Sequence, residues 1–133
     1  SRNDYEGVER LGYNRAINRK KYTVGQVDLE LNNKKSIRYQ IYSHLSELIA
    51  IRRGERAFHP DSQAAFDAVG KQILKIIRVA ENGERMTALF NFSNKMQTVY
   101  EQTLSGKELL SGQDISGTEL ILNPWQVMWI KEN

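Results

Sequence analysis

QILKIIRVAENGERMTALFNF, residues Gln72–Phe92, decides the fold. Two apolar runs, Gln72–Ala80 and Arg85–Phe92, flank Glu81-Asn82-Gly83-Glu84. Asn-Gly between apolar runs is a hairpin signal, because both residues tolerate positive φ at low steric cost. The spacing predicts two antiparallel strands, with Met86, Ala88, Phe90 and Phe92 sharing a face of the second. Downstream, Gln97–Gln102, Glu119–Leu122 and Trp125–Ile130 read as further strands, the last two split at Asn123-Pro124. Ser105-Gly106 and Ser111-Gly112 punctuate a turn-rich stretch between them. Trp125, Val127 and Trp129 alternate and are expected to share one buried face. Five or six short antiparallel strands make a compact sheet or sandwich.

Upstream the period changes from 2 to 3.6. Ile37, Ile41, Leu45, Leu48, Ile49 and Arg52 fall at helical spacing, with Ser36 as N-cap and Gly54 expected to close the helix in left-handed geometry. Its apolar stripe needs a partner of similar length. Before it, Asp4 caps a short helix Tyr5–Leu11 ended by Gly12, and Thr23 with Gln26 forms a capping box opening a helix over 24–31. Residues 1–35 are too thin in bulky aliphatics to fold alone. Pro60 pushes His59 to extended geometry, which suits a domain joint near Ala57-Phe58-His59-Pro60. The fold class is therefore α+β, with N-terminal loops and one long amphipathic helix in residues 1–58 and a mostly antiparallel sheet in 59–133.

Composition narrows the function. The 19 basic and 16 acidic side chains leave a formal charge of +3, too small an excess for a dedicated nucleic-acid binder. Cysteine is absent, which removes disulfides and thiolate sites and fits a cytoplasmic protein. No apolar run is long enough to span a membrane, and Ser1-Arg2-Asn3-Asp4 lacks an apolar signal core. His44 and His59 have no convergent ligand spacing, so they read as structural or solvent-facing rather than metal-binding. Gly-x-Ser-x-Gly, Gly-x-Gly-x-x-Gly and Walker patterns are missing. Glu81 and Glu84 flank a turn and read as solvated, as do the other acids.

The Trp125/Trp129 pair has the chemistry of a sugar-stacking platform, but the alternation with Val127 favours a core strand. The charged stretch Arg15-Ala16-Ile17-Asn18-Arg19-Lys20-Lys21-Tyr22 has two readings. One is a solvated loop. The other is a polar-ligand site with Arg19 as a forked donor, or, with Tyr13 and Tyr22 interleaved, a single-strand nucleic-acid arm.

Asn3-Asp4-Tyr5-Glu6, the Arg15–Tyr22 stretch, Leu48-Ile49-Ala50-Ile51-Arg52 and Ala57-Phe58-His59-Pro60 together resemble the end of the sucrose phosphorylases, enzymes of the α-amylase superfamily of glycoside hydrolases. Leu89-Phe90-Asn91-Phe92-Ser93 and Leu122-Asn123-Pro124-Trp125-Gln126-Val127 resemble strands of that superfamily's C-terminal β-domain more generally. The resemblance implies that residues 1–58 are the last active-site loop and last helix of a (β/α)8 barrel, and that 59–133 are the β-domain after it. Post-strand loops line the catalytic face of a barrel.

The implied chemistry is retaining glucosyl transfer to inorganic phosphate through a covalent glucosyl-aspartate, with a glutamate as acid/base. Both carboxylates would lie upstream, so the chain itself is expected to be inactive and to hold no catalytic residue, cofactor or metal site. What carries over is Arg19, a sugar-binding arginine of the donor subsite. Asn18 would shape its loop, and Arg15 matches the motif without a role attached. Ala16 stands where an acid is common and Asn14 where glycine is common. The expected partners are a sugar substrate and phosphate, with no nucleic acid and no membrane. Surfaces left bare by the missing barrel would favour self-association. The alternatives are a phosphorylase of glucosylglycerate or sucrose phosphate, or a non-enzymatic nucleic-acid or carbohydrate module.

Overall fold

A computed structural model of the chain describes residues 3–18 and 21–133, leaving aside the side chains of residues 102 and 103. The chain divides into two compact units, 1–45 and 46–133.

In the first unit the helix ends follow from local chemistry. Helix α1 (Tyr5–Leu11) starts at Asp4, whose carboxylate accepts from Gly7 N, and ends at Gly12 with φ 68°. Helix α2 (Val24–Leu31) carries the full Thr23/Gln26 capping box. Helix α3 (Ile37–Gly54) begins in this unit and ends in the second. The Ser36 hydroxyl accepts from Tyr39 N at 3.1 Å, the expected N-cap. Its stop differs from expectation. Gly54 belongs to the helix and is not among the residues with positive φ. The chain leaves instead through Glu55, at φ −109° and ψ 121°, into the 3-10 turn Arg56–Phe58. No residue of α3 is buried, and Ile37, Ile41, Tyr42, Leu45 and Ile49 are all exposed.

The second unit is one antiparallel six-stranded sheet: β1 (Gln63–Val69), β2 (Ile73–Val79), β3 (Arg85–Asn91), β4 (Gln97–Glu108), β5 (Asp114–Leu122) and β6 (Val127–Glu132), in the order β1-β2-β3-β6-β4-β5. The β2–β3 hairpin forms as read. Gly83 N donates to Ala80 O at 2.9 Å, and only Gly83 in this turn has positive φ, at 85°. That is a type I turn with a glycine bulge rather than the two-residue form.

Strand β3 runs through the middle of the sheet and is buried on both faces. Met86, Thr87, Ala88, Leu89 and Asn91 are all buried, while Phe92, assigned to its apolar face, is exposed beyond the strand end. Strand β1 was not legible in Gln63–Val69, where Ala64, Ala65 and Ala68 give no amphipathic pattern. Ser105-Gly106 is not a turn. Strand β4 continues through it to Glu108, with a register shift between Tyr100 and Leu104. Its end pairs with both β5 and β6, which curls the sheet around one core of Ile73, Leu89, Val99, Leu104, Leu120, Leu122, Met128 and Ile130. Each such side chain contributes about 1.5–3 kcal/mol on burial.

Gly106 is what allows the curl, because a Cβ there would stand 2.0 Å from the carbonyl oxygen of Lys131 on the neighbouring strand. Gly106→Ala is expected to destabilise the chain by about 1–3 kcal/mol, since β4 and β6 must part. Urea denaturation measures this, and an unchanged midpoint would refute the close-approach role.

Candidate functional site

In the first unit, Asp4 joins the two N-terminal motifs. Its carboxylate caps α1 while its N–H donates to Ile17 O at 2.7 Å, across to the 3-10 helix Asn14–Asn18. Gly7 is buried there, and a Cβ would meet the Asp4 carboxylate at 2.4 Å. Ala16 is 2% exposed, so the side chain at this position sits inside the loop, where an acid would be a buried charge. Asn14, Arg15, Asn18, Lys21 and Tyr22 are exposed. Arg19, the sugar-binding candidate, and its neighbour Lys20 lie outside the described residues. A groove of about 620 Å³ runs between α2 and α3, walled by Val27, Leu31, Ile41, Tyr42 and Leu45.

In the second unit, Ala57-Phe58-His59-Pro60 is held by its backbone. Ala57 is fully buried. Its N–H donates to the Glu84 carboxylate at 2.9 Å, and its carbonyl accepts from Arg78 Nε at 2.6 Å. The same guanidinium donates to His59 O at 2.7 Å. Lys131 Nζ lies 2.6 Å from Glu55 and 3.2 Å from Glu84. Phe58 packs on Trp129, ring centroids 4.9 Å apart. Glu84 is therefore not the solvated turn residue expected. The Ala57 amide, outweighing burial, and then Lys131 hold its carboxyl below the ordinary range. The hydrogen bond to Glu55 raises Lys131 above its ordinary value against a smaller burial penalty, and Glu84 adds to the rise.

A third cluster links the two β-domain motifs. Asn91 is 3% exposed. Its side-chain amide donates to Lys95 O at 2.7 Å and Asn123 O at 2.8 Å, with Leu122 O at 3.4 Å, and its side-chain oxygen accepts from Ser93 N and Ser93 Oγ. The Asn91-Phe92-Ser93 sequon thus has its asparagine committed inside the fold. Asn123-Pro124-Trp125-Gln126 is a turn closed by Gln126 N to Asn123 O at 3.1 Å. Trp125 sits at its third position with φ 60° and is 64% exposed, so the buried row expected for Trp125, Val127 and Trp129 does not form. Glu108 is the other acid that the sequence did not single out. It is 3% exposed and accepts from the N–H groups of Leu110, Ser111 and Trp129. Burial is the largest single influence and pushes its pKa up. The hydrogen bonds together outweigh it and lower the pKa.

His44 and His59 are both exposed and lie on separate elements. Among the described residues, no group of three or more His, Cys, Asp or Glu converges as a metal site would require, and no helix is long and apolar enough to cross a membrane.

Over 131 residues, 98% of the chain, the sequence is 48% identical to the glucosylglycerate phosphorylase of Escherichia coli K12. It is 29% identical over 98% of the chain to the glucosylglycerate phosphorylase of Allomeiothermus silvanus, and 26% identical to that of Spirochaeta thermophila. These three relatives are glucosylglycerate phosphorylases. The chain spans about a quarter of their length, 23%, 22% and 25% respectively. No family model matches. Among solved structures, the trehalulose synthase MutB of Pseudomonas mesoacidophila MX-45 superposes with a TM-score of 0.62 at 20% identity, over 78% of this chain and 19% of that one. The likeness is one of fold, with helices ahead of an antiparallel sheet. Sucrose phosphorylase, the particular resemblance read from the motifs, is not the name that these three relatives carry.

The clamp at Ala57 has a pH signature. Glu84 has a lowered folded-state pKa, so its stabilisation is present above the unfolded value and lost as pH falls through the folded one. Lys131 has a raised pKa, so its stabilisation is present below the unfolded value and lost as pH rises through the folded one. Glu84→Gln is expected to flatten part of the acid limb of a urea-midpoint-versus-pH profile, the rest remaining with Glu108. Lys131→Met flattens the alkaline limb. Two wild-type-shaped profiles would contradict the clamp.

Proposed function

We propose that this chain is the C-terminal part of a retaining phosphorylase that moves the glucosyl unit of glucosylglycerate to inorganic phosphate. The supporting observation is the 48% identity to a glucosylglycerate phosphorylase across 98% of the chain. The two more distant relatives carry the same name. They favour glucosylglycerate over sucrose as donor, although the motifs alone resemble the sucrose enzyme. In this reading residues 1–58 close a (β/α)8 barrel, 59–133 form the β-domain behind it, and the parent works in the cytoplasm.

The chemistry divides between this chain and the rest of the parent. The nucleophilic aspartate and the acid/base glutamate lie elsewhere, so the 133 residues alone are inactive. Arg19 supplies planar, fixed donors to adjacent hydroxyls of the glucosyl unit, held by a carboxylate outside this chain. The loop that carries it is anchored through Asp4 and the Ile17 carbonyl, two residues before Arg19.

The test is phosphorolysis by the full-length parent, read as glucose 1-phosphate release. Glucosylglycerate is expected to exceed sucrose in kcat/KM by about tenfold or more, equivalent to ~1.4 kcal/mol of transition-state discrimination. Arg19→Ala is expected to lower kcat/KM by about 10- to 100-fold, the loss of a charged hydrogen bond. Preference for sucrose would overturn the donor, and full activity without Arg19 would overturn the site.

A further inference from the structure

Asn82-Gly83 is the one Asn-Gly pair in the sequence; every other asparagine is followed by a bulkier residue or ends the chain. Glycine has no Cβ, so its backbone nitrogen is unhindered. That nitrogen and the Cγ of the asparagine before it belong to one five-membered ring closure, which gives them a high effective concentration.

The hairpin tip favours this closure at one atom and opposes it at another. Glu84 N donates to Asn82 Oδ1 at 3.2 Å. Oδ1 is the oxygen that gains negative charge when a nitrogen attacks Cγ, and a backbone N–H on it stabilises that charge. Against this, Gly83 N–H donates to Ala80 O at 2.9 Å and must let go before it reacts. This bond lies beyond the β2–β3 ladder, whose last pair is Val79 with Arg85. A hairpin tip opens without the sheet opening. Asn91 is the contrast: its amide is buried, bonded at nitrogen and oxygen alike, and followed by Phe92.

We propose that Asn82 is a site of spontaneous deamidation, and that its isoaspartyl product releases the Glu84 carboxylate from Ala57. Gly83 N gives its proton to a base in solvent and bonds to Asn82 Cγ. The Cγ–Nδ2 bond breaks, and the amide leaves as ammonia with a proton from solvent. The succinimide so formed takes up one water. Opening at Cγ gives aspartate. Opening at the backbone carbonyl of residue 82 gives isoaspartate, in which the main chain runs through Cβ and Cγ and gains one atom. Nothing is oxidised or reduced.

The pairing of Val79 with Arg85 is part of the sheet, so the extra atom is absorbed within residues 80–84. Glu84 lies in that span. Its carboxylate holds the Ala57 N–H at 2.9 Å and lies 3.2 Å from Lys131. Its own N–H loses its partner, because Oδ1 has become a main-chain carbonyl oxygen. Aspartate keeps both the original path and a side-chain oxygen for Glu84 N.

Ageing the chain at mildly alkaline pH in native buffer, followed by peptide mapping, tests the site. The peptide holding Asn82 is expected to gain about 1 Da, hydroxyl for amine, at least about tenfold faster than any other asparagine. An equal or faster gain elsewhere, or none at Asn82, would overturn the proposal. Hydrogen exchange on the separated isoaspartyl chain reads the consequence. Its Ala57 amide is expected to exchange at least about tenfold faster than in the unaged chain, with the Asn91 amide unchanged. Asn82→Asp, which carries the charge without the extra atom, is expected to keep Ala57 protected. An isoaspartyl chain with Ala57 still protected would overturn the release. Equal loss of protection in Asn82→Asp would assign the effect to charge and overturn the isoaspartyl route.

Discussion

The side-chain amide of Asn91 is the contact on which the sheet most depends. β3 lies in the middle of the order, and Asn91 ends it at the point where two turns meet. One turn leads from β3 to β4 through Ser93 and Lys95. The other leads from β5 to β6 through Asn123. A buried amide with both donors and its acceptor used fixes these turns relative to each other, and an unsatisfied group there costs about 1–3 kcal/mol. The position of Trp125 follows from the same network. Its N–H donates to Ser93 O at 3.0 Å, and the turn that carries it is tied to Asn91 through Asn123 O. The φ of 60° at a bulky residue is tolerated because its surroundings over-determine it.

This changes the meaning of the motifs. Leu89–Ser93 and Leu122–Val127, read from the sequence as β-domain motifs, are the two sides of one hydrogen-bonded node. In Ala57–Pro60, Arg78 and Glu84 hold the backbone of Ala57, and Phe58 packs on Trp129. Asp4 and Ile17 do the same for the N-terminal pair of motifs. In each case the recognisable residues that the structure describes hold architecture.

What was legible in the sequence was local. Asp4, Thr23 with Gln26, and Ser36 cap helices by bonds to their own neighbours, so spacing alone locates them. The hairpin at Asn82-Gly83 is equally local. What failed depended on distant strands. Gly106 looked like turn chemistry, but its bare Cα serves the approach of Lys131. Alternation from Trp125 to Trp129 was read across a turn in which the side-chain direction changes. β1 lacks an alternating pattern because it is an edge strand packed on one neighbour. Glu84 and Glu108 looked like surface acids because their partners, Ala57 N and Trp129 N, come from other parts of the fold. Arg19, the sugar-binding candidate, lies outside the described residues, so its reading rests on the motif alone.

The central claim is that these hydrogen-bonded motifs hold the fold, and Asn91→Ala tests it most directly. Removing the amide takes a donor from the carbonyls of Lys95 and Asn123 and an acceptor from Ser93, and leaves a cavity at a buried position. Urea denaturation is expected to show a loss of about 2–4 kcal/mol with an unchanged slope. A midpoint equal to that of the unsubstituted chain would contradict the account.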